Sequence, residues 1–255
     1  MISNYHTHTS FCDGNDTPEE LIKTALSLGM DAIGFSGHSY TYFDESYCMS
    51  KQGTFEYKKA INSLKEKYKD EIKILLGVEQ DYYSLEETKD YDFVIGSVHY
   101  IKKGKNFFPI DESKELLIEN VNLYYNGDIY ALIEDYYSTV ADVYNRTKCD
   151  IVGHFDLITK FNENAELFDE KNPRYIAAYK KALESLKAAQ CVFEVNFGAV
   201  AKGYRSTPYP SQEILMLLKK YNKKIMFSSD CHSKDKLLFG YDEYMKIKNS
   251  YQNNV

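Results

Sequence analysis

The sequence predicts an α/β fold in which seven short strands alternate with longer amphipathic helices and close, or nearly close, into a (β/α) barrel of the TIM-barrel kind. Three observations predict it. Apolar, β-branched runs recur along the 255 residues with helical patterns between them, as expected of parallel strands with helices outside. Links from helix to strand are short, as at 29–32 and 189–192. Links from strand to helix, at 39–54, 80–91, 100–113 and 197–210, are long and polar or aromatic. In a parallel barrel the long ones build the active-site face at the strand C-termini. No repeat, low-complexity tract or Pro/Gly/Ser linker divides the chain, so 1–255 reads as a single domain. An open doubly wound sheet is the alternative with the same alternation.

The strands are expected at 2–6, 32–36, 73–78, 93–97, 151–154, 191–196 and 224–228. The first helix has a strong start signal in Thr17-Pro18-Glu19-Glu20, with Thr as N-cap, Pro at the first helical position and Glu20 closing a capping box. Leu21, Ile22, Ala25, Leu26 and Leu28 follow at helical spacing, and Gly29 stops it. A long helix from about residue 128 carries Ile129, Leu132, Ile133, Tyr136, Val140, Val143 and Tyr144 on one face. Further helices are expected over 55–68, 173–188 and 211–221.

Composition excludes several classes. No apolar run reaches the ~18 residues of a membrane span, and the N-terminal residues lack the basic and apolar regions of a signal peptide. Five scattered cysteines, an odd number, argue against a disulfide framework and for a reducing compartment. The expectation is a soluble, cytoplasmic protein with no membrane partner. Lys and Arg number 31 against 38 Asp and Glu, a net charge of −7, so a nucleic-acid surface is not expected either.

Histidine is scarce, and its placement carries the functional reading. All six histidines fall at or just after an expected strand end. His6 and His8 close the first strand two residues apart, a spacing that puts both imidazoles on one face. His38, His99, His154 and His232 follow the second, fourth, fifth and seventh strands, while the third ends in Glu79. Asp13 lies just beyond the first strand, and Asp230 sits two residues before His232. A lone histidine is commonly a surface or hydrogen-bonded residue; six at strand ends are not a coincidence of that kind. Imidazole and carboxylate are the ligand mix of hydrolytic zinc, manganese and iron sites. With only three carboxylates among nine ligands, three divalent cations keep a surplus of positive charge for a hydroxide and a phosphate dianion.

These residues resemble the polymerase-and-histidinol-phosphatase (PHP) family of metal-dependent phosphoesterases. The resemblance rests on His6-Thr7-His8 with Asp13, on Gly37-His38, on Glu79 and His99, and on His154 with Asp230-Cys231-His232. It implies a distorted seven-stranded (β/α) barrel with three divalent metals (Zn, Fe or Mn) at the C-terminal face. It also implies a ligand partition: His6, His8, Glu79 and Asp230 on one ion; a bridging Glu79 with His99 and His154 on a second; Asp13, His38 and His232 on a third. Gly77-Val78-Glu79-Gln80-Asp81, Gly153-His154-Phe155-Asp156-Leu157 and Lys202-Gly203-Tyr204-Arg205 give the chain the character of the stand-alone histidinol phosphatases within that family. Two departures stand out. Gly37 precedes His38 where an acidic residue is common, and Lys160 stands where an arginine is common, which reduces a bidentate phosphate contact to a point charge.

The implied reaction is hydrolysis of a small phosphomonoester, L-histidinol phosphate, by a metal-bridged hydroxide. Asp230, ligand and proton carrier at once, is the expected catalytic group. Arg205, one of three arginines with Arg146 and Arg174, lies in the loop after the sixth strand and is expected to grip phosphate oxygens. Gln80, Asp81, Asp156 and Lys160 are the remaining expected substrate contacts, with Tyr42, Phe43, Phe107 and Phe108 as aromatic faces. Cys12 and Cys231 are read as small packing residues. Another phosphoesterase of the same scaffold, acting on phosphotyrosine or nucleotides, and a non-catalytic metal-binding module are the competing readings.

Overall fold

The strands run along the chain as β1 (Ser3–Asn4), β2 (Ala32–Phe35), β3 (Lys73–Asp81) and β4 (Phe93–Ser97), then a hairpin of β5 (Tyr100–Lys103) and β6 (Asn106–Pro109), then β7 (Ile151–Val152), β8 (Val192–Asn196) and β9 (Ile225–Ser228). The computed structural model describes residues 1–253. In it β1, β2, β3, β4, β7, β8 and β9 pair in parallel in that order, as one seven-stranded sheet. The ends meet at a bridge between Thr7 and Cys231. There the Cys231 N–H donates to His6 O (3.3 Å) and the His8 N–H to Cys231 O (2.9 Å). The sheet is a nearly closed barrel.

Helices cover its outside. α1 (Pro18–Ser27) starts with the expected capping box between Thr17 and Glu20. α2 (Lys51–Lys67), α3 (Lys114–Tyr125), α4 (Ile129–Val140), α5 (Val143–Thr147), α6 (Pro173–Leu186), α7 (Gly198–Ala201), α8 (Gln212–Lys220) and α9 (Tyr241–Asn253) follow. No helix among the described residues is long and apolar enough to cross a membrane.

The pleat divides each strand between two environments. On β3, Ile74, Leu76 and Val78 join the large core beneath the helices, while Leu75, Gly77 and Glu79 face the barrel interior. Phe93, Ile95 and Ile151 form a second, smaller cluster there with Tyr5, Leu75, Val192 and Met226. This apolar plug fills one end of the barrel. β3 and β8 then carry polar inward residues nearer their C-terminal ends, so Glu79 and Glu194 are held above this apolar cluster.

Several elements depart from expectation. The first strand stops at Asn4, because the Asn4 side chain competes with the ladder: its Oδ1 accepts the His6 N–H (3.1 Å) and its Nδ2 donates to Ser229 Oγ (2.6 Å). The helix expected over 128–144 is two, α4 and α5. Asp142 at the break takes the Tyr82 hydroxyl (2.9 Å) and the Asn145 amide (3.0 Å). α2 begins at Lys51, capped by Ser50 Oγ accepting from Gly53 N–H (3.0 Å). The expected loop 100–113 holds the β5–β6 hairpin, and α3 and α9 were not expected.

Candidate metal centre

Every histidine of the chain reaches the mouth of the barrel. Glu79, an inward residue near the C-terminal end of β3 and 1% exposed, is the hub. Its Oε2 lies 3.2 Å from His6 Nε2 and 3.6 Å from His8 Nε2. Asp230 Oδ1 faces the same two nitrogens at 3.6 and 3.2 Å. The other carboxylate oxygen, Oε1, lies 3.3 Å from His99 Nε2 and 3.0 Å from His154 Nε2. A third group gathers around Asp13, whose Oδ2 is 3.6 Å from His38 Nε2 and 3.1 Å from His232 Nε2. His38 Nδ1, 3.0 Å from Glu79 Oε2, and His8 Nδ1, 3.5 Å from Asp13 Oδ1, tie this group to the hub.

Local backbone sets these positions. His38 and Glu79 are neighbours because residues 38 and 79 bridge in parallel three residues beyond the last pair of the β2–β3 ladder. Asp230 adopts a left-handed backbone (φ 48°), which turns its carboxylate inward while Cys231 returns to bridge Thr7. Gly198 makes room for that carboxylate: a Cβ there would lie 2.7 Å from Asp230 Oδ2.

The electrostatics are those of a cation site. Burial opposes ionisation of Glu79, yet the imidazoles of His6, His38 and His99 hold its pKa well below the usual carboxylate range. Burial likewise opposes the charged form of Asp230, and His6, His8 and His232 outweigh it. His8, buried and hemmed in by His232 and His38, is pushed down to about 3. His6 Nε2, His8 Nε2 and Glu79 Oε2 are buried without a hydrogen-bond partner. Unsatisfied polar atoms cost free energy in a dry interior. These three converge to within 4.8 Å of one another, as do His8, Asp13, His38 and His232, and also His38, Glu79 and His99. Residues of this kind, aimed at common points, fit divalent cations.

Glu194 was missed as a functional residue. Its Oε2 lies 2.8 Å from His6 Nδ1, and its Oε1 accepts the His154 N–H (2.6 Å) and the Asn196 amide (2.8 Å). Asn196 Nδ2 in turn donates to Asp230 Oδ2 (3.2 Å). The available signal was a carboxylate in the middle of a buried strand, which needs a partner.

A cavity of about 370 Å³ opens over the cluster, with Asp44, Tyr47, Tyr100, Asp111, Lys160 and Lys202 among its walls. Of the expected substrate contacts, only Lys160 lines it, donating to Asp111 O (2.6 Å) and lying 3.3 Å from Asp111 Oδ2. The other four do not. Arg205 is turned away: its Nη1 donates to Thr159 O (2.7 Å) and its guanidinium lies over the Tyr209 ring. Gln80 bonds the Ser84 and Glu86 carbonyls. Asp81 accepts the backbone N–H of His99 (3.0 Å) and Tyr83 (2.8 Å). Asp156 is fully buried and accepts from Ser211 N–H (2.9 Å). The aromatic faces also differ from expectation. Phe43 and Phe107 stack on each other (4.0 Å between centroids) and Phe108 stacks on Tyr124, leaving Tyr47, Tyr100 and Tyr209 as the aromatic walls. Cys12 and Cys231 are held as thiols by burial, both pushed up to about 12.

A parallel barrel with six imidazoles and three carboxylates converging at its C-terminal mouth defines a protein whose barrel mouth is equipped to hold metal ions. Comparison with known proteins narrows this. The model of the family described as PHP domain matches residues 4–198, and the chain belongs to that family. It is 29% identical to the "Probable histidinol-phosphatase" of Schizosaccharomyces pombe over 89% of this chain and 79% of that protein. It is 24% identical to the histidinol-phosphatase of Bacillus subtilis over 94% and 97%. Among solved structures, a candidate histidinol phosphatase from Listeria monocytogenes superposes with a TM-score of 0.82 at 22% identity, covering 95% of this chain and 99% of that one. A histidinol phosphate phosphatase from Lactococcus lactis, solved with zinc, L-histidinol and phosphate, superposes with a TM-score of 0.68 at 18% identity, covering 98% and 94%.

Proposed function

We propose that this chain is a metal-dependent histidinol-phosphatase, hydrolysing L-histidinol phosphate to L-histidinol and phosphate, with one domain spanning 1–255 carrying the whole site. The observation that supports it best is the Glu79 carboxylate, one oxygen turned to His6 and His8 and the other to His99 and His154. A side chain so placed suits a bridge between two cations, and the Asp13, His38 and His232 group suits a third. Such ions, when bound, lower the pKa of water and neutralise charge on phosphoryl oxygens.

The chain's own residues do the rest. Asp230 is the proton-handling group in this reading. Its Oδ1 faces His6 and His8, and its Oδ2 receives the Asn196 amide at the edge of the cavity. Asp44, Asp111 and Glu112 line the same cavity and offer acceptors for an ammonium group. Tyr47, edge-on to His38 at 4.8 Å and stacked near Tyr100, offers a flat face to a substrate ring. A phosphate end, a cationic end and an aromatic wall match histidinol phosphate.

Steady-state hydrolysis of a panel of phosphomonoesters, with elemental analysis of the same preparation, tests the reading. The expected result is the highest kcat/KM for histidinol phosphate and about three divalent ions (Zn, Fe or Mn) per chain. A higher kcat/KM for phosphotyrosine or a nucleotide overturns the substrate; protein without bound metal that hydrolyses as well overturns the centre.

A further inference from the structure

We infer that Lys202, and not Arg205, is the side chain that grips the phosphoryl group. The inference rests on the phosphatase reading above. Three long cations lie near the mouth of the barrel, and two are committed. Lys160 is held by the carbonyl and carboxylate of Asp111. Arg205 is held by the Thr159 carbonyl and by Thr207, outside the cavity. Lys202 lines the cavity with no ion-pair partner among the described residues, and its Nζ lies 3.5 Å from His232 Nε2.

That nitrogen is also the atom His232 turns to Asp13 Oδ2, in the third group of candidate ligands. An ion held by Asp13, His38 and His232 would take up the Nε2 lone pair, and Lys202 would then have its three N–H donors free for another acceptor. An anion bound to the ion is the partner within its reach.

The backbone beneath Lys202 is fixed. It caps the short helix α7, its N–H donating to Gly198 O (3.1 Å). The first residue of α7, Gly198, is tied by its own N–H to Asn196 Oδ1 (2.8 Å) and is pressed against Asp230. The segment that positions Asp230 therefore also positions the base of Lys202, and the flexible four-carbon stem supplies the reach. Gly203 (φ 78°) then turns the chain, and Arg205 beyond it does not line the cavity.

The test compares wild type, Lys202→Ala, Lys202→Arg and Arg205→Ala as metal-loaded proteins. It measures the inhibition constant of inorganic phosphate, the dissociation constant of phosphate by calorimetry, and metal content per chain. A charge-assisted hydrogen bond lost from phosphate weakens binding by about tenfold or more. Lys202→Ala is expected to raise both phosphate constants and the KM for histidinol phosphate by that factor with metal content unchanged. Lys202→Arg is expected to restore most of the loss, and Arg205→Ala to have the smaller effect. Phosphate binding within twofold of wild type in Lys202→Ala, a loss of metal in parallel with phosphate, or a larger loss in Arg205→Ala overturns the assignment. A wild-type protein that neither binds phosphate nor hydrolyses any ester overturns the phosphatase reading along with it, whereas an active wild type with an unaffected Lys202→Ala overturns this inference alone.

Discussion

Glu194 Oε2 lies 2.8 Å from His6 Nδ1, both side chains 1% exposed. The pairing fixes which nitrogen of His6 faces the cluster: Nδ1 is taken by the carboxylate, so Nε2 is the one presented to Glu79 and Asp230. The same carboxylate accepts the His154 N–H, so one side chain steadies two candidate ligands on different strands. Burial works against its charge, but His6 and His154 hold Glu194 below the usual carboxylate range, and it remains an anion that strengthens both partners.

Replacing it tests that role directly. Glu194→Gln keeps the shape and removes the charge. Loss of an orienting carboxylate of this kind weakens metal binding about 10- to 100-fold. Competition with a fluorescent chelator is expected to show that weakening, with an unchanged far-ultraviolet circular dichroism spectrum. Wild-type affinity in the variant would reduce Glu194 to a packing role.

Asp230 is set by its neighbours as much as by its own backbone. With Gly198 beside it, a methyl group at 198 must move the carboxylate, since the added Cβ would lie 2.7–2.9 Å from three of its atoms. Displacement of a reacting group by about 1 Å costs up to about a hundredfold in rate. Gly198→Ala is therefore expected to lower kcat toward the level of Asp230→Asn, which itself should fall by orders of magnitude. Stopped-flow or steady-state kcat at saturating substrate reads both. Near-normal turnover in Asp230→Asn would remove it from proton handling.

The clustering of the candidate ligands was legible in the sequence because these residues are rare and sit at strand ends, where alternation and loop length fix a common face. His6, His8 and Glu79 needed only the strand pattern. The substrate contacts were less legible. Arg205 lies on the expected loop, but its side chain is held by the carbonyl of Thr159 outside the cavity, an effect with no sequence pattern. Gln80 and Asp81 adjoin Glu79 on a strand that continues to Asp81, and there they serve the backbone of the following turns. Among the elements, α9 was hidden because Tyr241, Tyr244 and Tyr251 supply much of its inward face, and tyrosine carries a weak hydropathy signal. α3 was hidden by the exposed apolar residues Ile118 and Leu123, which blur its stripe.

The plug below the centre is predicted to be intolerant of added volume. A Cβ at Gly77 would lie 2.2 Å from Phe93 Cζ, and one at Gly34 would meet the same ring at 2.9 Å. The Phe93 ring is thus held between two strands that leave it no path to relax. Overpacking of this kind costs about 1–3 kcal/mol. Gly77→Ala is expected to lower the urea midpoint without changing the slope of the transition. Adding Phe93→Leu should recover part of the loss, and strictly additive effects in the double variant would place the strain elsewhere.

Removal of metal distinguishes a catalytic centre from a structural one. The apolar plug and the outer helical core do not include the nine candidate ligands, so the barrel has a source of stability independent of ions. The cluster itself is different. Without cations it packs three carboxylates against six imidazoles, with buried His6 Nε2, His8 Nε2 and Glu79 Oε2 unpaired. Chelation is accordingly expected to abolish hydrolysis and lower Tm while leaving the secondary structure in place. Stepwise addition of a divalent metal should return activity and raise Tm with concentration, because a ligand bound only by the folded state stabilises it by mass action. Loss of the helical circular dichroism signal on chelation would identify a structural centre instead. Full hydrolysis by protein proved free of metal would leave Glu79 as a buried anion without a cation to justify its place.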